Sequence, residues 1–113
     1  MLEIETERNE DDDFAVLRPR GDIDAYSVAQ FREALGEQSE AGRLVVDLCN
    51  VPFMDSAGLG ALIGGVRKIR ENSGKVAVYC TSNALVRLLH TTGFNRIVPV
   101  EETLTGAVSA LNQ

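Results

Sequence analysis

The sequence predicts an α/β fold: a mixed, mostly parallel sheet with helices, entered by an N-terminal antiparallel hairpin. Short apolar runs alternate with segments of helical periodicity along most of the chain, the pattern of parallel strands covered by helices. The first two strand-like runs have no helix between them, only the polar stretch Asn9-Glu10-Asp11-Asp12-Asp13, which suits a hairpin turn. At 113 residues, 44% hydrophobic and 25% charged, the chain suffices for one core and not for two. Residues 1–113 are therefore read as one domain, without internal repeat or linker.

Residues 2–7 alternate Leu2, Ile4 and Thr6 against Glu3, Glu5 and Glu7, the period of a half-exposed strand. The acidic run that follows lacks the D-x-D-x-D-G spacing and distal Glu of a calcium loop, so it reads as a solvated turn. Phe14 to Arg20 is the returning strand. Gly21-Asp22-Ile23-Asp24-Ala25-Tyr26 leads to a first helix. There Ser27 and Gln30 fit a capping box, and Val28, Phe31, Ala34 and Leu35 share one face. That helix is expected to end between Gly36 and Gly42. Leu44 to Leu48 is the most apolar strand and is predicted to be central.

Asp55-Ser56 opens the second helix, with Leu59, Leu62, Ile63, Val66 and Ile69 inward and Arg67, Lys68, Arg70 and Glu71 outward. Ser73-Gly74 is expected to close it, the glycine supplying a left-handed turn. Lys75 to Cys80 is another buried strand, and Asn83 to Thr92 a short helix directing Leu85, Leu88 and Leu89 inward before Gly93. The strand Ile97-Val98-Pro99-Val100 contains a proline, which suggests a sheet edge. Thr103 caps a last helix bearing Leu104, Ala107, Val108 and Leu111.

Ser56 is the residue of greatest chemical interest. It stands where unpaired backbone amides and the helix dipole favour an anion, so it is either an ordinary N-cap or a place where phosphate is written. Asp55 competes with it for the N-cap position, which would leave the hydroxyl free. In α/β sheets the functional surface commonly lies beyond the carboxyl ends of the strands, where the Gly21–Ser27 and Asp55–Gly60 segments both lead into helices.

Several function classes are disfavoured. A net charge of −6 and a pI near 4.7 argue against nonspecific binding to nucleic acid or anionic membranes. No apolar run approaches the ~18–20 residues of a membrane span, and the start lacks signal-peptide regions, so the expected compartment is the cytoplasm. A serine hydrolase would want G-x-S-x-G, but Met54 stands two before Ser56, and the only histidine, His90, lies in a leucine-rich segment. Gly58-Leu59-Gly60 with Gly64 misses the dinucleotide fingerprint, and no P-loop G-K-[ST] exists. A phosphoacceptor receiver would want a late lysine, and none follows Lys75. Cys49 and Cys80 are expected to be buried reduced thiols, a redox pair only if their strands adjoin. Asp47 is expected to reach a backbone amide or the sheet end.

The string Asp55-Ser56-Ala57-Gly58-Leu59-Gly60 after Val45-Val46-Asp47-Leu48, with Gly21-Asp22-Ile23-Asp24 upstream, resembles the STAS domains of bacterial anti-sigma factor antagonists over nearly the whole chain. The resemblance implies a STAS-like fold and a partner switch rather than an enzyme. In that family the unphosphorylated antagonist binds an anti-sigma factor that is also a serine kinase, and a sigma factor is released. The kinase, which holds the ATP and magnesium, phosphorylates the serine matching Ser56 and ends the association. A PP2C-type phosphatase resets it. Asp24 and Asp55 match the family's acidic residues beside the serine, while Ala57 stands where other members often carry Ser or Thr. Without the resemblance, Asp24 reads equally as a cap of the first helix or its turn, and Tyr26 equally as a packing residue. The implied partner surface comprises Asp22, Asp24, Tyr26, Ser27, Asp55, Ala57, Gly58 and Gly60, with no catalytic, cofactor-binding or metal-binding residue. The free protein is expected to be a monomer without nucleic-acid or membrane partners. The competing reading is a STAS module that scaffolds or senses without phosphorylation. For Gly58 and Gly60, close approach of a partner and tight helix-on-sheet packing weigh equally.

Overall fold

The computed structural model describes residues 1–113. Strands β1 (Glu3–Asn9) and β2 (Phe14–Arg20) form the antiparallel hairpin, in register from Glu3 opposite Arg20 to Asn9 opposite Phe14. Its turn is set by local polar contacts: the Asp12 amide donates to Asn9 Oδ1 at 2.9 Å, Arg8 pairs with Asp13, and Asp13 adopts a φ of 55°. Strands β3 (Arg43–Asp47), β4 (Lys75–Tyr79) and β5 (Val100–Glu101) continue the sheet in parallel, in the order β1-β2-β3-β4-β5. The predicted central strand is central, and the proline-bearing segment ends at an edge.

Helices α1 (Val28–Glu37), α2 (Ser56–Glu71) and α3 (Asn83–Thr91) cover one face, where Phe31, Leu35, Leu62, Val66 and Leu89 meet Leu17, Leu44 and Val46 in the larger core cluster. Helix α4 (Leu104–Ala110) covers part of the other face, its Ala107 packed with Phe14, Val16, Val45 and Ala77. With helices on both sides, Leu44, Val45 and Val46 are all fully buried, so the continuous apolar run of β3 is what its position demands. Strand β1 buries almost nothing and keeps its acidic residues in water.

Three local expectations fail for identifiable reasons. The Ser27–Gln30 capping box does not form. Asp24 takes over instead, its Oδ1 accepting from the amides of Tyr26 (2.9 Å) and Ser27 (3.2 Å) and its carbonyl from the Val28 amide (2.8 Å). The Ser27 hydroxyl turns back to the Asp22 carbonyl at 2.8 Å, and the Gln30 amide donates to the Leu2 carbonyl at 3.0 Å. At the end of α2 the left-handed residue is Ser73, with φ 65°, and not Gly74. Gly74 is needed for space, since a Cβ there would lie 2.6 Å from Ile69 Cγ2. The last strand is shorter and later than expected. Gly93 (φ 81°) leads into a 3-10 turn over Phe94–Arg96 that seats the Phe94 ring in the core, so pairing begins only beyond the proline.

Candidate functional site

The parallel strands end at one rim, and two loops meet there. The Gly21 amide donates to the Asn50 carbonyl (3.0 Å), the Ile23 amide to Phe53 (3.0 Å), and the Asp55 amide to Ile23 (3.2 Å). Ile23 and Met54, paired in an isolated parallel bridge, are buried beneath this contact. The apolar pair thus fastens the loop after β2 to the loop after β3, leaving the residues between free to face water.

Asp55 completes the junction with both carboxylate oxygens. Oδ1 accepts from the Gly58 amide at 3.0 Å and caps α2, while Oδ2 accepts from the Ala25 amide at 3.2 Å and holds the neighbouring loop. The cap is therefore Asp55. Ser56 becomes the first residue of the helix, exposed, with its hydroxyl engaged by no other group of the chain. The amides of Ser56 and Ala57 also lack an acceptor within the chain, as expected of a helix start.

The predicted residues gather here. Asp22 is exposed, Asp24 half-buried and committed to the turn before α1, and Ser27 tied into that turn. Tyr26 is 99% exposed, which places it in solvent rather than in the core. Gly58 is different: it is buried, and a Cβ there would lie 2.6 Å from the Ile23 carbonyl oxygen and 2.9 Å from Met54 Cγ. Packing between loop and helix accounts for this glycine. Gly60 is exposed with nothing within 4 Å of a Cβ, so packing does not account for it. Ala57 is half-buried beside Ser56.

One rim residue escapes sequence reasoning. Phe53 is 53% exposed although it lies in the apolar run Val51-Pro52-Phe53-Met54, which reads as core. The available signal is Pro52, which marks this run as part of the loop after β3, where no strand alternation fixes the direction of a side chain. Tyr26 and Phe53 thus flank the junction as exposed aromatics.

Nearby groups that look chemical are structural. Asp47, almost fully buried, accepts from the Cys49 amide (2.9 Å) and from Arg18 Nε (3.3 Å), and Arg18 also pairs with Glu7 (3.4 Å). Cys49 and Cys80 are both free. Strands β3 and β4 adjoin; Cys80, just past β4, lies in the larger core cluster, whereas Cys49, in the turn after β3, is half-buried with its Sγ 3.9 Å from the Tyr79 carbonyl oxygen. Burial pushes both thiols up from their ordinary pKa. No group of three or more His, Cys, Asp or Glu side chains converges on a metal position, and no helix is long and apolar enough to cross a membrane.

Comparison with known proteins returns a consistent result. The family model for the STAS domain matches residues 3–107. The anti-sigma-B factor antagonist of Bacillus subtilis is 31% identical over 108 residues, covering 95% of this chain and 97% of that one. The crystal structure of an anti-sigma factor antagonist from Mycobacterium paratuberculosis superposes with a TM-score of 0.89 at 26% identity, over 100% of this chain and 96% of that one. The anti-sigma factor antagonist SpoIIAA in its unphosphorylated form shares the fold, with a TM-score of 0.70 at 19% identity over 92% of each chain.

Proposed function

Because the chain belongs to the STAS-domain family of anti-sigma factor antagonists, we propose that it is an antagonist switched by phosphorylation of Ser56. Unphosphorylated, it docks on an anti-sigma factor serine kinase and so frees a sigma factor. Phosphorylated, it lets go, and a PP2C-type phosphatase restores it. The observation that supports this reading best is the unengaged Ser56 hydroxyl at the first position of α2, with capping delegated to Asp55.

The chain needs to supply little chemistry. The kinase brings ATP, magnesium and the base, and the acceptor must only present an accessible oxygen in line with the transferred phosphoryl group. The product carries about −1.5 to −2 charge. The amides of Ser56 and Ala57 and the helix dipole favour it, by roughly 0.3–1 kcal/mol. Asp55 and Asp24 oppose it, so the fold itself changes little. The consequence falls on the partner, whose surface over Tyr26, Phe53 and Ser56 must desolvate or exclude a dianion. A difference of about 2.8 kcal/mol is already a hundredfold in affinity. No refolding is required. The free chain acts as a monomer in the cytoplasm, binds no cofactor of its own, and uses Asp22, Asp24, Tyr26, Ser27, Asp55, Ala57 and Gly60 as the surrounding contact surface.

The test is to incubate the purified chain with its cognate kinase and ATP, then locate the modification by mass spectrometry. One phosphate on Ser56 is expected. Ser56→Ala should fold, stay unmodified and keep binding the kinase, whereas Ser56→Asp should bind more weakly. An aspartate variant that binds as tightly as the native chain would remove the charge-based switch.

A further inference from the structure

We propose that the opposite edge of the sheet carries a second docking surface, one that takes an acidic segment of a protein partner bearing an aliphatic anchor. The charge of this acidic chain is unevenly placed. Between residues 60 and 100 there are six Lys and Arg and a single acid, Glu71. Helix α2 runs from the Ser56 rim to the N-terminal edge of the sheet, so Arg70 lies about 21 Å from Ser56 at 1.5 Å per residue. There Ile63, Arg67, Arg70, Glu71 and Ile97 line a groove of about 380 Å³. A second groove of about 300 Å³ shares Arg70 and Ile97 and adds Lys75 and Pro99.

None of these cations is paired with a carboxylate side chain, although Lys75 Nζ donates to the Gln113 carbonyl. The ion pairs of the chain are Arg8–Asp13, Arg18–Glu7 and Arg18–Asp47, none of which involves Arg67, Arg70, Lys75 or Arg96. Arg70 Nη1 donates to the Ile97 carbonyl at 2.9 Å, which holds the guanidinium at the groove while leaving its other donors free. Ile97 is 43% exposed. The other exposed large apolar side chains are Met1 at the terminus and Tyr26 and Phe53 at the Ser56 rim, so Ile97 is the one that coincides with the basic grooves. Lone surface apolar residues are ordinary. An apolar floor flanked by the guanidinium groups of Arg67 and Arg70, which outnumber the single carboxylate of Glu71, fits carboxylates flanking an aliphatic side chain.

The chemistry favours a protein segment over the alternatives. A polyanion such as DNA would meet the repulsion of a chain with net charge −6, and no aromatic side chain lines the grooves for base stacking. A second copy offers an acidic turn, Asn9–Asp13, that contains no aliphatic residue, and an acidic strand β1 whose Leu2 and Ile4 already pack against their own core, so neither frees an aliphatic side chain to enter beside Ile97. Because the two surfaces lie at opposite edges, an occupant here leaves Ser56 open to its kinase.

The probe is a fluorescein-labelled peptide, EEDLLEDE, titrated with the full chain by fluorescence anisotropy beside EEDSSEDE. The leucine peptide should bind at least tenfold more tightly than the serine one, and weaken as sodium chloride rises from about 50 to about 300 mM. Arg67→Glu and, separately, Ile97→Ser should each weaken it at least tenfold. Arg20→Glu, the same charge change at the far rim, should leave it within about threefold. Circular dichroism melts of each variant verify folding, and chemical-shift changes in the native chain map the contact independently of any variant. Several results overturn the proposal: no binding, equal loss from Arg20→Glu and Arg67→Glu, or shift changes centred on Tyr26 and Ser56. Tighter binding of a DNA duplex overturns it too, as does sedimentation showing self-association that Arg67→Glu abolishes. None of these results bears on Ser56 phosphorylation, which is tested separately.

Discussion

Gly58 and Gly60 are two residues apart in one helix, yet one methyl group separates them energetically. A Cβ at Gly58 would collide with the Ile23 carbonyl at 2.6 Å, so Gly58→Ala should destabilise the fold by about 1–3 kcal/mol and push the 21–27 loop outward. A Cβ at Gly60 meets open space, so Gly60→Ala should stabilise the free chain by roughly 0.5–1 kcal/mol. Denaturant unfolding checks both. If a partner's backbone approaches Gly60, the stabilised variant should nevertheless bind its kinase more weakly. The thiols give a pH prediction. Burial raises both folded pKa values, so the folded state holds the proton past the ordinary thiol range near 8.5. Stability should therefore be fully present below that range and fall as the pH rises through it. Iodoacetamide should label the native chain more slowly than the unfolded chain at pH about 8, with buried Cys80 slower than Cys49.

At the scale of elements, the decisive contact is the carboxylate of Asp55, which caps α2 and grips the loop before α1 at once. Asp55→Ala should cost about 1 kcal/mol for the lost cap. It should also speed amide hydrogen exchange at Ala25 and Gly58, the two donors left unsatisfied. Unchanged exchange at Ala25 would show that the loop is held by the Ile23 bridge alone. Local sequence signals read most elements well because apolar period and glycine or capping residues act within a few positions. They fail where two residues compete for the same amides. Ser27 fits the capping rule, but Asp24 lies close enough to close its own turn first. They fail again at Ile97–Val100, where the Phe94 ring seeks the core and pulls the backbone into a 3-10 turn. Phe53 is missed likewise, because apolar character does not reveal which way a loop side chain points.

Over the whole molecule, Asp22, Asp24 and Asp55 give the Ser56 rim an acidic character that suits a basic partner surface. Kinase association should therefore slow as ionic strength rises from about 0.05 to about 0.5 M, measured by stopped flow, and a salt-independent on-rate would remove electrostatic steering from the switch. The order of strands and helices, the central place of β3 and the candidacy of Ser56 are legible in the residues alone, since they follow from hydrophobic period and from a motif contiguous in the chain. The cap of Asp55 on the Gly58 amide is local and already open in the sequence. Folding had to bring the 21–27 loop against α2 before the second carboxylate oxygen could hold the Ala25 amide. It likewise placed Tyr26 and Phe53 in water and gathered Arg67, Arg70, Lys75 and Ile97 at the far edge. Those outcomes join residues distant in sequence, and only the packing of the completed sheet sets their distances.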